Sequence, residues 1–438
     1  MSANLTSRRG FLSFASALGA ASASRMTYRQ GSRGEKVSLL GFGAMRLPTA
    51  DGGHACDWWD DASSDRIDQE LVNREVRYLL EHGVTYFDTS PFYCRGESER
   101  CLGEALAKSG FARKDYQIAT KLSNFAPSQQ SLDGCRAMFD SSLRFLRTDY
   151  LDFYLLHNIG RDGFENFRRR FVDNGAADWC LGLRDAGRIR NLGFSYHGDR
   201  RAFDWCLERH DRYHWDFCQL QLNYIDWDHP TPGNGDASAK ELYDAVTAKG
   251  IPVIVMEPLL GGALARYNWS LANELTPLDP EATLAKWAFR FCGSRPKVLT
   301  VLSGMTRMEH IEENVATFSP LKPLSEEETA ALARAARAYL ACDVLPCTSC
   351  RYCMPCPYGL DIPRLLAFRN QYLTKKTGLD ARALLKAYAR AVPEQLRRAE
   401  HCTGCGRCRA HCPQQIDIPK EIGAIDAVMD ALKAEAVK

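Results

Sequence analysis

The segment VTYFDTSPFY, residues 84–93, decides the fold that we expect for this chain. It opens with a run of β-branched and aromatic residues, which is typical of a strand, and it ends in polar residues that suit a loop. The preceding stretch, DRIDQELVNREVRYLLEHG, has helical period and ends at Gly83. Its apolar face is formed by Ile67, Leu71, Val76, Leu79 and Leu80. The pattern predicts one unit of a series in which helices and strands alternate.

Seven further segments of the strand type complete the series: VSLLGFG, YQIATKL, YLDFYLLH, IRNLGFS, FCQLQLNY, IPVIVME and KVLTVLSG. Repeated strand–helix units form a parallel sheet, and eight of them within residues 35–320 have the size of a (β/α)8 TIM barrel. An open doubly wound sheet is the alternative. It would carry a glycine-rich dinucleotide fingerprint after its first strand, and GFGAMR lacks the third glycine.

Length and charge restrict the class of protein. At 438 residues the chain has room for a second domain beside the barrel. A net charge of +2, without long runs of like charge, gives no reason to expect nucleic acid as a partner. The longest apolar stretch of the body, GIPVIVMEPLLGGALA, is interrupted by Glu257 and is shorter than the ~20 residues of a membrane span. We expect no transmembrane segment.

The N-terminal stretch SRRGFLSFASALGAASAS is set apart from the fold. Arg8 and Arg9 precede a short run rich in alanine and serine, which ends in Ala21-Ser22-Ala23. This pattern resembles a twin-arginine export signal with its cleavage site, and it predicts a periplasmic or other extracytoplasmic protein. The alternative is a chance arginine pair on the tail of a cytoplasmic protein. Residues 1–25 are left out of the fold prediction for this reason.

A second domain is expected over residues 340–425. It contains two cysteine motifs, CTSCRYCMPCP at 347–357 and CTGCGRCRAHCP at 402–413. The sequence between them has helical period and no strand pattern, which predicts a small helical domain. The second motif matches C-x2-C-x2-C-x3-C-P, the bacterial ferredoxin run that binds [4Fe–4S], and the first motif is one residue shorter at its last gap.

The ferredoxin resemblance implies a ligand set, because in two-cluster ferredoxins the fourth cysteine of each run serves the other cluster. Carried over, it assigns one cluster to Cys347, Cys350, Cys353 and Cys412, and the other to Cys402, Cys405, Cys408 and Cys356. Zinc is the alternative, since C-x2-C pairs also build tetrahedral sites. Zinc sites usually combine two separated pairs, whereas three close cysteines and a Cys-Pro occur twice here.

Four polar residues are predicted at the carboxyl ends of neighbouring strands, where barrels place their active sites. They are Asp88, Tyr93, Lys121 and His157. A tyrosine has an ordinary pKa of about 10, but a neighbouring ammonium stabilises its phenolate, so that it can protonate a carbonyl oxygen as hydride arrives. Each residue alone has a plain structural explanation, such as a turn cap or a buried imidazole. Together they predict carbonyl reduction.

The barrel region resembles the aldo/keto reductase family. The segments YFDTSPFY, IATKL and LLH carry that family's tetrad, with its five-residue spacing from Asp88 to Tyr93. The resemblance implies binding of NADP or NAD through Gly43, Ser195, Gln219, Met256, Gly304, Arg307, Glu313 and Asn314. Met256 stands where an aromatic residue usually stacks on the nicotinamide, and Tyr196 where an amide usually follows Ser195. Gly304, Arg307 and His310 stand where many members place basic residues for the 2′-phosphate.

The expected function is that of an iron–sulfur aldo/keto reductase with two [4Fe–4S] clusters, acting on a small carbonyl or alcohol. Nicotinamides pass two electrons as hydride and clusters pass one electron at a time, so the clusters would exchange electrons with an external carrier or serve structure alone. The alternative is an exported electron-transfer module whose barrel retains its nicotinamide without turnover.

Overall fold

The computed structural model describes residues 25–55, 66–266, 268–341, 353–373, 380–393, 396–412 and 416–436, with the single residues 345, 347, 349, 351 and 414. The arginine pair and cleavage site of the predicted export signal lie outside these residues, and so does Cys350. None of the described helices is long and apolar enough to cross a membrane.

Eight parallel strands close into a barrel, which confirms the predicted fold. They are β1 Leu40–Gly43, β2 Tyr86–Asp88, β3 Gln117–Leu122, β4 Leu151–Ile159, β5 Ile189–Tyr196, β6 Phe217–Gln221, β7 Val253–Met256 and β8 Val298–Ser303. Each strand pairs with its neighbours in the chain, and β8 pairs with β1 to close the ring. Six of them lie within their predicted segments, while β4 runs two residues and β5 one residue past the predicted end.

Helices surround the strands. They are α1 Gln69–Glu81, α2 Glu97–Lys108, α3 Leu132–Phe145, α4 Ala176–Asp185, α5 Arg200–Glu208, α6 Ala239–Ala248, α7 Trp269–Leu275, α8 Leu284–Gly293, α9 Met308–Phe318 and α10 Glu326–Ala341. Asp68 caps α1 by accepting a hydrogen bond of 2.9 Å from the Leu71 amide. Val76, Leu79 and Leu80 of the predicted apolar face are buried, whereas Ile67 precedes the helix.

One end of the barrel is filled by apolar packing. The interior cluster comprises Val37, Tyr86, Ala119, Phe153, Leu155, Phe217, Ile254, Leu299 and Leu302. Val37 belongs to an antiparallel hairpin, Tyr28–Gln30 with Lys36–Ser38, which precedes β1 and so lies at the amino ends of the strands. The carboxyl ends of the strands are therefore the end that is left for a ligand.

The second domain is helical and has a core of its own. It contains α11 Ile362–Phe368, α12 Ala381–Ala391 and α13 Ile418–Ala436, with short turns at Arg369–Leu373, Ala399–His401 and Arg409–His411. Leu365, Leu366, Tyr388, Ile422 and Ile425 are among the residues that form its apolar cluster. The two cysteine motifs flank α11 and α12 in the chain, as the sequence predicted.

Candidate active site and cysteine sites

A large cavity of about 1070 Å³ opens at the carboxyl ends of the strands, and we call it the large cavity. Seven strands contribute residues to its wall, which include Gly43, Asp88, His157, Ser195, Gln219, Met256 and Ser303. Tyr93, in the turn after β2, also lines it, while Lys121 lies fully buried behind Asp88 and Tyr93. The four predicted rim residues are thus brought together at one site.

Lys121 is held by two oxygen atoms beneath Tyr93. Its Nζ donates hydrogen bonds of 2.6 Å to Asp88 Oδ1 and 2.7 Å to the Thr89 carbonyl, and it lies 4.8 Å from the centroid of the Tyr93 ring. Burial lowers the pKa of Lys121, and the adjacent Asp88 carboxylate opposes that shift. The pair therefore places a fixed positive charge against the phenol.

His157 is a neutral imidazole at the same wall. Burial lowers its pKa well below the ordinary value, and the positive charges of Lys121 and Arg170 act in the same direction. Its Nδ1 lies 2.6 Å from Ser123 Oγ, which in turn lies 2.9 Å from Ser90 Oγ. When Ser123 donates to Nδ1, the neutral ring carries its proton on Nε2. The wall then offers a phenol O–H and an imidazole N–H, on rings whose centroids are 5.9 Å apart.

Arg170 fixes the end of β4 from behind. Its guanidinium is buried and donates to the carbonyl of His157 at 2.8 Å and to that of Asn158 at 3.3 Å. Burial lowers its pKa to about 9. The sequence analysis did not single out Arg170 or Ser123. Ser123 follows β3 two residues after Lys121 and was detectable in principle, but nothing distinguishes Arg170 from its neighbours in FRRRFV.

The predicted nicotinamide contacts Ser195, Gln219 and Met256 lie on β5, β6 and β7, beside Asn158 of β4, which the sequence analysis did not predict. Ser195 Oγ accepts a 2.7 Å hydrogen bond from the backbone N–H of Asn158, and Gln219 Nε2 lies 3.6 Å from Met256 Sδ. Among the described residues, the side-chain oxygens of Gln219 and Asn158 are buried without a hydrogen-bond partner. Such acceptors suit the NH2 group of a carboxamide. Asn158 thus supplies an amide at the wall, while Tyr196 turns its hydroxyl to the Gly198 carbonyl at 2.6 Å.

The residues predicted for the adenosine end are only partly at the cavity. Gly304 and His310 line it, and Arg266, which the sequence analysis did not predict, lines it as well. Arg307 precedes α9 as its N-cap residue. Asn314 Nδ2 donates to Ser303 Oγ at 3.1 Å, and Glu313 accepts a hydrogen bond from the Thr283 hydroxyl. The roles of Arg307, Glu313 and Asn314 stay predictions.

A small cavity of about 310 Å³ lies in the second domain, and we call it the small cavity. Its wall includes Cys353, Cys356, Cys402, Cys405 and Cys408. Burial raises the pKa of Cys408 to about 11, and the neighbouring sulfurs of Cys402, Cys405 and Cys356 act in the same direction. Cys353 and Cys356 thus lie together with the trio of the second motif, whereas the ferredoxin-type assignment groups Cys353 with Cys412. Cys412 instead lines the large cavity. The division of the cysteines between two clusters stays a prediction.

The positions of the described cysteines do not by themselves distinguish a cluster from a zinc ion. Within the described part of the chain, which leaves out Cys350, no three cysteine, histidine or carboxylate side chains converge on a position for one metal ion. The expectation of clusters rests on the two cysteine motifs.

Cysteines outside the two motifs are sequestered. The described ones are Cys94, Cys101, Cys135, Cys180, Cys206, Cys218 and Cys292, and all of them are buried. Burial raises the pKa of Cys101 to about 12, so that its thiol is a poor nucleophile. These thiols are part of the packing of the barrel.

Comparison with known proteins agrees with this architecture. Residues 39–337 match the model of the aldo/keto reductase family, and residues 346–417 match that of a 4Fe-4S dicluster domain. The L-galactose dehydrogenase of Arabidopsis thaliana is 28% identical over 315 residues, which are 68% of this chain and 89% of that protein.

Two solved structures resemble the barrel. An aldo-keto reductase from Bacillus halodurans in its holo form has a TM-score of 0.56 and 25% identity, and the match covers 72% of this chain and 97% of that one. An aldo-keto reductase from Klebsiella pneumoniae in complex with NADPH has a TM-score of 0.52 and 21% identity, covering 70% and 94%. At that identity the second match shows the fold alone.

Proposed function

This chain belongs to the aldo/keto reductase family, and on that premise we propose that it transfers hydride between NAD(P)H and a small carbonyl or alcohol, with two [4Fe–4S] clusters in its second domain. The observation that carries the reductase part is the Lys121–Asp88 ion pair, 2.6 Å long and buried behind Tyr93. It has the arrangement needed for proton donation by a phenol.

The proton is moved by residues of the chain. Tyr93 donates its phenolic proton to the substrate oxygen, and Lys121 stabilises the phenolate that forms. Asp88 keeps the ammonium in place, while the Nε2–H of His157 hydrogen-bonds the same oxygen and orients it. The nicotinamide, when bound, supplies the hydride. In the direction of alcohol oxidation, the Tyr93 phenolate takes up the proton.

The residues at the wall fit a nicotinamide. Gln219 and Asn158 would hold the carboxamide through their buried oxygens, with Ser195 beside them, and Met256 would lie against the ring. Arg266, Gly304 and His310 would face the phosphate-bearing end. Arg46 also lines the cavity and lies beside Gly304. The proposal covers both NADP and NAD.

Small polar substrates suit the large cavity best. Among the described residues of its wall, Tyr93 is the sole phenylalanine, tyrosine or tryptophan, and most of the others carry hydroxyl, amide, imidazole or charged groups. Such a wall offers hydrogen bonds to a hydroxylated compound rather than stacking surfaces for an aromatic one. The likeness to an L-galactose dehydrogenase supports the same class.

The clusters would be held as the sequence analysis assigned them. Cys402, Cys405 and Cys408 would share one cluster with Cys356, and we call it the distal cluster. Cys412 would complete the ligands of the other cluster. The exposure of Cys405 supports electron exchange between the distal cluster and an external carrier. The clusters supply one-electron transfer when bound.

Anaerobic purification followed by iron and sulfide analysis tests the cluster part. The hydride part is tested by reduction of simple aldehydes and oxidation of L-galactose with each nicotinamide, beside a Tyr93→Phe control. Activity that Tyr93→Phe abolishes supports the reductase. Absence of turnover with every compound, in folded and iron-loaded protein, contradicts it.

The alternative is an electron-transfer module that retains its nicotinamide. It is favoured by one observation, namely that Ser349, Arg409, His411, Cys412 and Gln414 of the second domain line the large cavity together with the barrel residues. A wall of this kind would slow cofactor exchange. Nicotinamide that survives gel filtration in stoichiometric amount, with bleaching of the cluster absorbance on reduction and no aldehyde turnover, would support the alternative.

We also propose export by the twin-arginine route, on the strength of the Arg8-Arg9 pair and the alanine- and serine-rich run that ends in Ala21-Ser22-Ala23. Replacement of both arginines by lysine should keep the protein in the cytoplasm. Unchanged fractionation of the doubly substituted chain would favour the cytoplasmic alternative.

A further inference from the structure

One wall of the large cavity comes from the second domain. Arg409, His411, Cys412 and Gln414 line it together with the barrel residues Tyr93 and His157. Gln414 is 9% exposed, whereas the side chain of Arg409 is 66% exposed. The wall of the large cavity is therefore incomplete without these four residues.

His411 has a position that no other described residue shares. It lines both the large cavity and the small cavity, and it is the one described residue on both walls. It ends the turn Arg409–His411, in which its amide donates to the Cys408 carbonyl at 3.3 Å. The Cys412 amide donates to the Arg409 carbonyl at 3.2 Å. The turn is thus closed on a cysteine at each end.

Those two cysteines belong to different predicted clusters. Cys408 stands with the trio at the small cavity, whereas Cys412 is assigned to the set of Cys347, Cys350 and Cys353. A cluster bound at each of the two sulfurs would restrict the backbone between them, because the two ends of a turn of three residues would then be fixed. The imidazole of His411 then has one position at the substrate side.

We infer that His411 is a substrate-binding residue whose position is set by the two cysteine sites on either side of it, so that cluster loading governs substrate binding. This inference rests on the proposed function and deepens it. The imidazole offers a hydrogen bond to a hydroxyl or carbonyl oxygen of a small polar substrate in the large cavity.

We expect nicotinamide binding to be independent of His411 and of the two cysteine sites beside it. Ser195 and Gln219 lie on paired strands in register with one another, and Asn158 is tied to Ser195 and to Arg170 within the barrel. None of these contacts involves the second domain. Loss of the clusters should therefore change the KM for the substrate and leave the Kd for the nicotinamide as it was.

The first experiment uses the full, iron-loaded chain with His411→Ala, His411→Gln and the control His401→Ala. His401 is a half-buried histidine of the same domain that lines neither cavity. We expect His411→Ala to raise the KM for an aldehyde or for L-galactose about tenfold, which is about 1.4 kcal/mol. The kcat, the nicotinamide Kd and the iron content should stay unchanged. His411→Gln should restore part of the KM, and His401→Ala should resemble the original chain.

The second experiment removes iron from the original chain and from His411→Ala. If the clusters act through His411, iron removal raises the KM of the original chain but adds little to that of the variant. Independent, additive effects would overturn the inference, and so would an equal change in the nicotinamide Kd.

Hydrogen exchange supplies a readout that needs no turnover. Iron removal should speed exchange at 409–412 and at the facing barrel loop 160–163, while the strand residues 217–221 stay protected. Unchanged exchange at both segments, in a chain shown to bind and lose iron, would overturn the inference. A chain that shows the exchange change but turns over no substrate would instead contradict the proposed hydride transfer.

Discussion

Replacing Lys121 by methionine removes the charge beneath Tyr93 while keeping most of the side-chain volume. The Nζ lies 4.8 Å from the centroid of the Tyr93 ring. At an effective dielectric constant of about 20, a unit charge at that distance stabilises a phenolate by roughly 3.5 kcal/mol. Since each 1.36 kcal/mol is a factor of ten in rate, we expect kcat to fall by roughly 300-fold.

The same substitution strips Asp88 of its partner. Asp88 is 2% exposed, so Lys121→Met leaves a buried carboxylate unpaired, which typically destabilises a protein by about 3–5 kcal/mol. The double variant Asp88→Asn, Lys121→Met removes that unpaired charge. It should regain much of the lost stability and none of the activity, because the phenolate still lacks its ammonium.

Steady-state assays with NAD(P)H and an aldehyde give kcat, and thermal unfolding of the same samples gives the melting temperature. The two readouts separate the effects, since the double variant changes one and not the other. A fall in kcat of less than tenfold in folded Lys121→Met would refute the electrostatic reasoning. Recovery of activity in the double variant would refute it as well.

Three further predictions concern two buried titratable groups and one cysteine of the first motif. Burial lowers the pKa of His157, so on acidification the unfolded chain takes up this proton before the folded chain does. The free energy of unfolding should therefore fall below about pH 6.5, by at most about 1.4 kcal/mol per pH unit. Urea unfolding at a series of pH values should show a flatter slope for His157→Gln. Burial raises the pKa of Glu75 to about 8. The stability that protonated Glu75 contributes at low pH is therefore lost as the pH rises from about 4.5 to 8. Glu75→Met should raise the melting temperature, and the gain should grow between about pH 4.5 and pH 8. Cys356→Ser should remove about half of the bound iron, whereas loss of all iron or of none would contradict the assignment of Cys356 to a single cluster.

The barrel and its four rim residues could be predicted because both are written in local patterns. Strand periodicity identifies the segments, and the register of a parallel barrel brings their carboxyl ends to one rim. Asp88, Lys121 and His157 therefore met as expected. The ferredoxin resemblance implied that Cys356 lies near the trio of the second motif, and Cys356 lines the small cavity with that trio, but Cys353 does so as well.

Residues whose roles depend on contacts between distant segments could not be predicted. Asn158 reaches Ser195 across 37 positions of the chain, and Arg170 comes from an irregular loop behind β4. His411 acquires its place through the packing of the second domain against the barrel mouth. Periodicity tells which face of an element is buried, but it does not tell which distant segment covers that face.

Burial of the barrel thiols has a practical consequence for following the clusters. Among the described cysteines, those outside the two motifs are all enclosed, while the motif cysteines are half-buried or exposed. An alkylating reagent applied to the folded protein would thus label the motif cysteines and spare those barrel thiols. Labelling of the two motif segments then reports empty cluster positions, and it is readable in unpurified extracts, where iron analysis cannot tell one protein from another.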